Sequence, residues 1–150
     1  ESSRGLVGSE MCIRDRGAGR FRGAPGIRVE LGPVNCRMEA GFVADGNIHI
    51  PLGARNGGPA SRSDQFRLTV KGELERLDQC SQVWIEDGEV LVSIACGGGG
   101  YGDPKTRDPE RVLHDVREGI VSRNRAQEVY GIVIDEKMEI DEAATQSLRA

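Results

Sequence analysis

The chain has 150 residues and a formal net charge of −4 at pH 7, and this mild acidity argues against a nucleic-acid partner because phosphate binding needs a concentrated basic face. No apolar run approaches the roughly 20 residues that span a bilayer, so we expect no membrane partner either. Aromatic residues make up only 4% of the chain, and 21 of its 150 residues are glycine. This composition predicts many loops and a region that gains order as part of a larger fold.

Residues 1–16 show neither apolar alternation nor a helical stripe, so the sequence predicts no buried face there. The string MCIRDR (11–16) resembles the translation of a sequencing-library transposon end, and segments of such origin are set aside before the fold is considered. We therefore predict that residues 1–16 are an artefactual arm, with a disordered native arm as the alternative. Residues 17–150 are then the part to interpret for fold and function.

Short, mostly antiparallel strands are predicted over about residues 27–96, separated by glycine, proline and aspartate. Apolar and polar residues alternate, as in half-buried strands, in IRVEL (27–31), NIHIPL (47–52) and FRLTV (66–70). Two more strands, QVWI (82–85) and EVLVSIAC (89–96), flank Glu86-Asp87-Gly88, which is typical of a hairpin turn. The stretch from residue 52 to residue 64 is rich in turn formers and is predicted to be a loop.

Residues 103–150 change period and predict two or three short helices with a brief strand, which makes the fold class α+β. Asp108 and Pro109 open the first helix as its N-cap and first helical residue, and Gly119 ends it. Ser122 and Asp141 cap two more helices, and IVI (132–134) is predicted to be a brief buried strand. The apolar residues expected to face inward are Val112, Leu113, Val116, Ile120, Ala126, Val129, Tyr130, Ala144 and Leu148.

A small basic cluster, Arg20, Arg22 and Arg28, surrounds Phe21. We interpret it as a solvated loop, because we expect no second aromatic residue beside Phe21 to stack bases. Outside the arm, the odd number and wide spacing of Cys36, Cys80 and Cys96 indicate buried, reduced thiols in a cytoplasmic protein.

The glycine run comprises Gly97, Gly98, Gly99, Gly100, Tyr101 and Gly102. Its letters match the dinucleotide-binding fingerprint, but no helix follows at once, and no lysine follows to make a P-loop. Two interpretations stay open: a tight structural turn against a neighbouring backbone, or an anion cradle of backbone N–H groups. Under the first, Gly99→Val is expected to prevent folding because β-branching opposes a positive φ. Tyr101 is either a stacked lid or an ordinary packing residue.

Catalytic residues cannot be assigned from the sequence, and only His49 and Asp103 are weak candidates. His49 could be a general base, but an exposed or hydrogen-bonded histidine is the commoner case. Asp103 could bind a cation or cap a turn, and His114 is expected to be solvated on its helix. Neither histidine has a second ligand at metal-binding spacing, so no metal site is predicted.

Four stretches of the chain resemble the carboxyl-terminal end of the hydantoinase B/oxoprolinase family: GGGGYGDP (97–104), RDPERVLHDVREGIVS (107–122), YGIVID (130–135) and DEAAT-x-x-LR (141–149). Upstream, GAGRFRGAPG (17–26) resembles the family's G-A-G-x-x-R-G-x-P-G segment. NGGPASR (56–62) is a looser match to its glycine-rich turn, with Ala60 where glycine is usual. The resemblance implies that residues 17–150 are a carboxyl-terminal fragment of a hydantoinase B/oxoprolinase domain, because the family's subunits are several times longer.

Enzymes similar to this chain, N-methylhydantoinase and 5-oxoprolinase among them, open small cyclic amides in an ATP-driven hydrolysis. The resemblance implies a B-type subunit of such a hetero-oligomer, with an A-type subunit or domain that uses the nucleotide. ATP and a divalent metal are implied for the complete enzyme and none for this fragment, which is expected to be inactive alone. The alternatives are a subunit of a related ATP-dependent ketone carboxylase, a non-catalytic scaffold at the subunit interface, and an independent binding module.

Overall fold

The computed structural model describes the backbone of residues 6–12 and all of residues 16–150. Its strands are β1 (Leu6–Cys12), β2 (Gly26–Leu31), β3 (Met38–Val43), β4 (Asp64–Leu68), β5 (Leu74–Arg76), β6 (Cys80–Ile85) and β7 (Val90–Ala95). Its helices are α1 (Pro109–Arg117), α2 (Arg123–Tyr130) and α3 (Glu142–Arg149), with short 3-10 turns at Asp45–Asn47 and Pro104–Thr106. The predicted α+β class is confirmed.

Five strands form an antiparallel sheet in the order β1-β2-β7-β4-β5, and β3 pairs with β6 in a separate antiparallel sheet. The strands predicted at 27–31, 82–85 and 89–96 are confirmed, and the one predicted at 66–70 begins at Asp64. Three of the strands, β1, β3 and β5, were not predicted. In the sequence of β3, Gly41 and the exposed Val43 interrupt the alternation of inward apolar and outward polar residues that marks a strand. All three residues of β5 are exposed, so β5 has no buried face that its sequence could reveal.

The predicted hairpin between β6 and β7 is wrong, although the turn itself exists. Glu89 N–H donates to the Glu86 carbonyl over 3.0 Å, and Gly88 has φ 88°. The strands on either side belong to different sheets, because β7 lies at the centre of the larger one between β2 and β4. Its consecutive residues Leu91 and Val92 are 6% and 2% exposed, so both faces of this central strand are covered.

The strand predicted at 47–52 is also wrong. The N–H groups of Ile48 and His49 both donate to the Asp45 carbonyl, over 3.0 Å and 2.9 Å, which closes a tight turn. Ile48 is 72% exposed rather than buried on a sheet face. Pro51 cannot donate to a ladder, and this favours the turn over a paired strand. The loop predicted between residues 52 and 64 is confirmed up to Ser63.

Residues 6–12 form a strand where the sequence predicts none. Leu6 lies opposite Leu31 and Cys12 opposite Gly26 in the β1–β2 ladder. A ladder is built from backbone N–H and C=O groups, so it needs no side-chain alternation of its own. That residues 1–16 are an artefactual or disordered arm stays a prediction. Residues 1–5 and 13–15 lie outside the described residues.

The helical caps are confirmed, and they fix where each helix begins. The carboxylates of Asp108 and Asp141 each accept a backbone hydrogen bond over 3.0 Å, and the Ser122 hydroxyl accepts one over 3.2 Å. Gly119 and Gly131, with φ 70° and 65°, end α1 and α2. The core of this half contains Ala18, Val112, Leu113, Val116, Val121, Ala126, Tyr130, Ile132 and Ile134.

Two details of the helical half differ from expectation. Leu148 is 40% exposed, and the buried residue of α3 is Thr145, whose hydroxyl accepts from the Val133 N–H over 3.0 Å. The brief strand at 132–134 is reduced to one isolated bridge between Ile134 and Ile140. Thr145 satisfies a backbone donor there, so the segment packs without a longer ladder.

Candidate functional site

Three glycine-rich segments, 17–23, 52–58 and 97–102, pack on one another, and we call them the glycine layer. Backbone hydrogen bonds of 2.7–3.1 Å join all three pairs of segments. They include Gly17 N–H to Gly98 O, Ala54 N–H to Gly100 O, and Gly58 N–H to Ala18 O. The layer leads from the larger sheet into α1, so it holds the two halves of the fold together.

The layer needs glycine because its backbones approach too closely for side chains. A Cβ on Gly23 would lie 1.9 Å from Gly98 O, and one on Gly99 would lie 2.1 Å from Leu52 O. The positive φ expected at Gly99 is wrong, because within the run only Gly102 has one (φ 77°). Gly99 is required for close packing, and Gly102 for backbone conformation.

The run's backbone N–H groups are mostly occupied. Those of Gly98, Gly100, Tyr101 and Gly102 each donate over 2.9 Å to a backbone carbonyl of another segment. A phosphate cradle needs consecutive N–H groups that are free to point at the ligand. The glycine run therefore fits backbone packing and does not fit the phosphates of a nucleotide.

A buried carboxylate links the glycine layer to α1. Asp115, 1% exposed, accepts from the Arg22 guanidinium with Oδ1 and from Arg107 Nη2 with Oδ2, the latter over 2.9 Å. Arg107 is 6% exposed and also donates to the Arg20 carbonyl over 3.2 Å. Two arginines on one carboxylate occupy both of its oxygens, which suits a structural clamp rather than a general base.

This clamp was not predicted from the sequence, although the position of Asp115 on its helix was an indication of it. Asp115 lies between Leu113 and Val116 and three residues after Val112, so the helical period places it on the apolar face. A carboxylate at such a position is seldom buried without a charged partner. Only the folded chain brings in Arg22, which is 93 residues away in sequence.

Tyr130 lies at the inner end of α2 and is 3% exposed. Burial raises the pKa of its hydroxyl, and the positive charges of Arg107 and Arg125 oppose the shift. Tyr130 therefore remains protonated at neutral pH and cannot serve as a base there. Its backbone carbonyl accepts from Arg149 Nε over 3.0 Å, which ties α3 to the end of α2.

The two weak catalytic candidates are surface residues in different local settings. His49 is exposed directly after the Asp45–Asn47 turn. Asp103 is exposed, and its carboxylate accepts from the Lys105 N–H over 2.9 Å, which caps the Pro104–Thr106 turn. Neither side chain hydrogen-bonds to another titratable side chain within the described residues. His114 is exposed in the last turn of α1.

Metal and thiol chemistry find little support in the part of the chain that the structure describes. No group of three or more His, Cys, Asp or Glu side chains there could hold a metal ion. Cys36, Cys80 and Cys96 are free thiols, but the burial expected of them is wrong, because Cys36 and Cys80 are exposed and Cys96 is half-buried. None of the helices in the described residues is both long and apolar enough to cross a membrane.

Two aromatic rings lie side by side on the outside of the glycine layer. Phe21 and Tyr101 exchange backbone hydrogen bonds of 3.0 Å and 2.9 Å, and their ring centroids are 6.3 Å apart. The guanidinium of Arg20 lies 5.7 Å from the Phe21 centroid, and that of Arg55 lies 5.8 Å from the Tyr101 centroid. The expectation that Phe21 has no aromatic neighbour is thus wrong.

The basic cluster seen in the sequence separates in the folded chain. Arg22 binds Asp115, and Arg28 pairs with Glu30 on β2. Only Arg20 stays beside Phe21, where Arg55 and Arg111 join it from distant parts of the sequence. Arg20, Phe21, Thr106, Asp108 and Arg111 line an open cleft of about 350 Å³.

Relatives were found by sequence and by structure. The caprolactamase beta subunit of Pseudomonas jessenii is 38% identical over 138 residues, which are 89% of this chain and 24% of that protein. The crystal structure of ATP-dependent caprolactamase from the same organism matches with a TM-score of 0.76 at 33% identity, over 95% of this chain and 25% of that chain.

Two more relatives carry other activities in their names. The putative D-/L-hydantoinase B subunit of Pseudomonas sp. (strain NS671) is 27% identical over 150 residues, 93% of this chain and 24% of that protein. The acetone carboxylase alpha subunit of Xanthobacter autotrophicus is 28% identical over 136 residues, 88% of this chain and 17% of that protein. This chain thus spans about a quarter or less of the length of these relatives.

The hydantoinase B/oxoprolinase family model matches residues 8–104. The match covers the two-stranded sheet, the whole glycine layer and the larger sheet from Gly8 of β1 onward, and it begins inside the segment predicted to be an arm. It agrees with the relatives, among which a caprolactamase subunit is 38% identical. The chain belongs to the hydantoinase B/oxoprolinase family.

Proposed function

We propose that this chain acts as part of a B-type subunit in an ATP-dependent enzyme that hydrolyses cyclic amides. The observation that carries the proposal is the 38% identity to the caprolactamase beta subunit, together with the TM-score of 0.76 to the ATP-dependent caprolactamase structure. Hydantoin and 5-oxoproline are cyclic amides of the same chemical class as caprolactam. They are the candidate substrates together with it.

The chemistry explains why such a hydrolysis would use ATP. A cyclic amide is resonance-stabilised, so its carbonyl carbon is a poor electrophile. Phosphorylation of the carbonyl oxygen makes that carbon electrophilic and provides phosphate as a leaving group for the attack of water. We propose that ATP and a divalent metal bind on an A-type partner, since the described residues of this chain offer neither a metal cluster nor a free phosphate cradle.

For this region we propose a supporting role in the cytoplasmic parent enzyme. The glycine layer connects the larger sheet to α1, and the Arg22–Asp115–Arg107 clamp ties that layer to α1. No described side chain has the arrangement of a nucleophile with its base. The region therefore positions the body of the enzyme, and the reacting groups lie in the remainder of the parent protein or in its partner.

A chimeric protein tests the proposed function. Residues 17–150 replace the matching quarter of the Pseudomonas jessenii caprolactamase beta subunit, and the chimera is assembled with the companion subunit of that enzyme. We expect ATP-dependent opening of the caprolactam ring, detected as the amino acid by mass spectrometry. A chimera that folds and assembles but opens no ring would contradict the proposal.

The carboxylase alternative has its own support, the 28% identity to the acetone carboxylase alpha subunit. The reciprocal chimera places residues 17–150 in that protein, and labelled bicarbonate incorporated into acetone is measured. We expect the caprolactamase chimera to retain a larger share of its host's turnover than the carboxylase chimera does. The reverse order would favour the carboxylase branch.

Substitutions at Asp103 distinguish a catalytic role of this residue from a supporting one. Its carboxylate caps the Pro104–Thr106 turn, and asparagine can accept the same hydrogen bond without a charge. In the caprolactamase chimera, we predict that Asp103→Asn keeps near-normal kcat, whereas Asp103→Ala lowers the thermal stability of the assembled enzyme. A kcat reduced more than about a hundredfold by Asp103→Asn would instead indicate an acid–base role.

A further inference from the structure

The outside of the glycine layer carries a concentrated basic and aromatic surface, which we call the arginine–aromatic patch: Arg20, Phe21, Arg55, Tyr101 and Arg111. Phe21 and Tyr101 are 54% and 46% exposed. The three arginines come from three different segments, and the fold alone assembles them.

These arginines lack charged partners among the described residues. Neither Arg20, Arg55 nor Arg111 has a carboxylate within 4.0 Å there, whereas Arg22, Arg67, Arg76 and Arg107 all do. The chain as a whole carries a net charge of −4. Positive charge gathered on one face of an acidic protein creates a local potential that favours an acidic partner.

The backbone that carries the patch is well defined. Reciprocal backbone hydrogen bonds join Phe21 to Tyr101 and hold the two residues side by side on the glycine layer. Arg55 lies in a turn with φ 50°, a conformation that is uncommon for a residue other than glycine. Aromatic and arginine residues are the types enriched at interface hot spots.

We infer that the arginine–aromatic patch is the docking surface for an acidic face of the A-type partner subunit. The inference rests on the proposed function for the existence of that partner. The partner's carboxylates would pair with Arg20, Arg55 and Arg111, and one apolar side chain would enter the cleft beside Phe21. Three of the relatives are themselves named as subunits, which supports a separate chain as the occupant.

The geometry favours a protein surface over a free nucleotide. Asp108 lines the same cleft and places a carboxylate where a phosphate would have to bind. The planes of Phe21 and Tyr101 are tilted by 47°, so the two rings cannot sandwich a flat base in parallel. An apolar side chain that enters the cleft carries no charge to oppose Asp108, and it does not need two parallel rings.

The test uses the caprolactamase chimera and a triple variant, Arg20→Glu/Arg55→Glu/Arg111→Glu. A matched control, Arg62→Glu/Lys71→Glu/Arg125→Glu, makes the same change in net charge at exposed residues elsewhere. Affinity for the companion subunit is measured by biolayer interferometry at low and high ionic strength, and folding by circular dichroism. Because the three reversals could disturb the fold, Phe21→Ala is measured as a milder variant.

We expect the triple variant to bind at least about tenfold more weakly than the unsubstituted chimera, Phe21→Ala also to bind more weakly, and the control to change affinity by less than about twofold. High ionic strength should weaken the unsubstituted complex and leave that of the triple variant little changed. Equal affinity of the patch variants and the control, or no complex with the unsubstituted chimera, would overturn the inference. The inference would also be overturned if the chimera alone bound ATP and the triple variant did not, because a free nucleotide would then be the occupant of the patch.

Ring opening in the same samples distinguishes this inference from the proposed function. Suppose that the unsubstituted chimera forms the complex but hydrolyses no lactam, and that the patch variants assemble more weakly. The docking surface would then be supported and the proposed reaction contradicted. If the patch variants assemble normally and hydrolyse the lactam fully, the proposed reaction would be supported and the docking surface contradicted.

Discussion

At single residues, a tight constraint lies at Gly99, in the middle of the glycine run. A Cβ there would meet the Leu52 carbonyl oxygen at 2.1 Å and the Gly53 nitrogen at 2.9 Å, and both are backbone atoms that cannot turn aside as a flexible side chain can. We predict that Gly99→Val removes the chimeric protein from the soluble fraction or destabilises this region by more than about 4 kcal/mol. Soluble yield and hydrogen–deuterium exchange of peptides 97–117 measure the effect.

Gly41→Val is the matched control for that substitution. A Cβ on Gly41 meets nothing within 4 Å, and valine is well suited to its strand. We expect normal yield from this control. Equal protection of Gly99→Val and the unsubstituted chimera would show that the glycine layer tolerates side chains, contrary to the geometry.

Asp115 is the second residue at which one change should have a large effect. Asp115→Asn leaves Arg107 buried without its anion, and breaking a buried ion pair typically costs about 3–5 kcal/mol. We predict that exchange protection of α1 falls accordingly, while the exposed control Glu118→Gln changes it by less than about 0.5 kcal/mol. Unchanged protection in Asp115→Asn would mean that the clamp contributes nothing.

Both residues show what sequence reasoning reaches at this scale. The need for glycine at position 99 was predictable from the run, but its cause was not, because the clash comes from a loop 47 residues earlier in the numbering. The roles of Arg20 and Arg22 were obscured for the same reason. Local spacing groups them, whereas the fold sends Arg22 to Asp115 and leaves Arg20 on the surface beside Phe21.

At the scale of elements, the helices depend on their caps. The Ser122 hydroxyl accepts from the Arg125 N–H over 3.2 Å at the start of α2. We predict that Ser122→Ala destabilises α2 by about 1 kcal/mol, read from the exchange rates of its amides. Ser147→Ala, at an exposed position in α3, should have no such effect, and equal losses in the two variants would argue against a specific cap.

Caps and breakers are local, which is why the helix boundaries could be predicted from Asp108, Ser122, Gly131 and Asp141. Strand pairing is not local, and the errors fall there. The strands β6 and β7 were predicted from their residue patterns. They belong to different sheets because β6 pairs with β3, whereas β7, which is buried on both faces, pairs with β2 and β4. β1 was missed because its partner's backbone, and not its own side chains, determines the pairing.

At the scale of the whole molecule, the chain behaves as one part of a larger fold. Large apolar side chains remain open to solvent: Val43, Leu52 and Ile48 are 79%, 76% and 72% exposed. The two-stranded β3–β6 sheet has no third strand in the described residues, and isolated two-stranded sheets are marginal in water. These features fit a region whose relatives are about four times as long.

The thermal unfolding of residues 17–150 alone, followed by far-ultraviolet circular dichroism, tests this account most directly. We predict a gradual loss of signal without a cooperative transition, since much of the apolar surface lacks the packing partners that the rest of a longer protein would supply. A sharp, reversible transition of a monomer would contradict it and would make the chain an independent module.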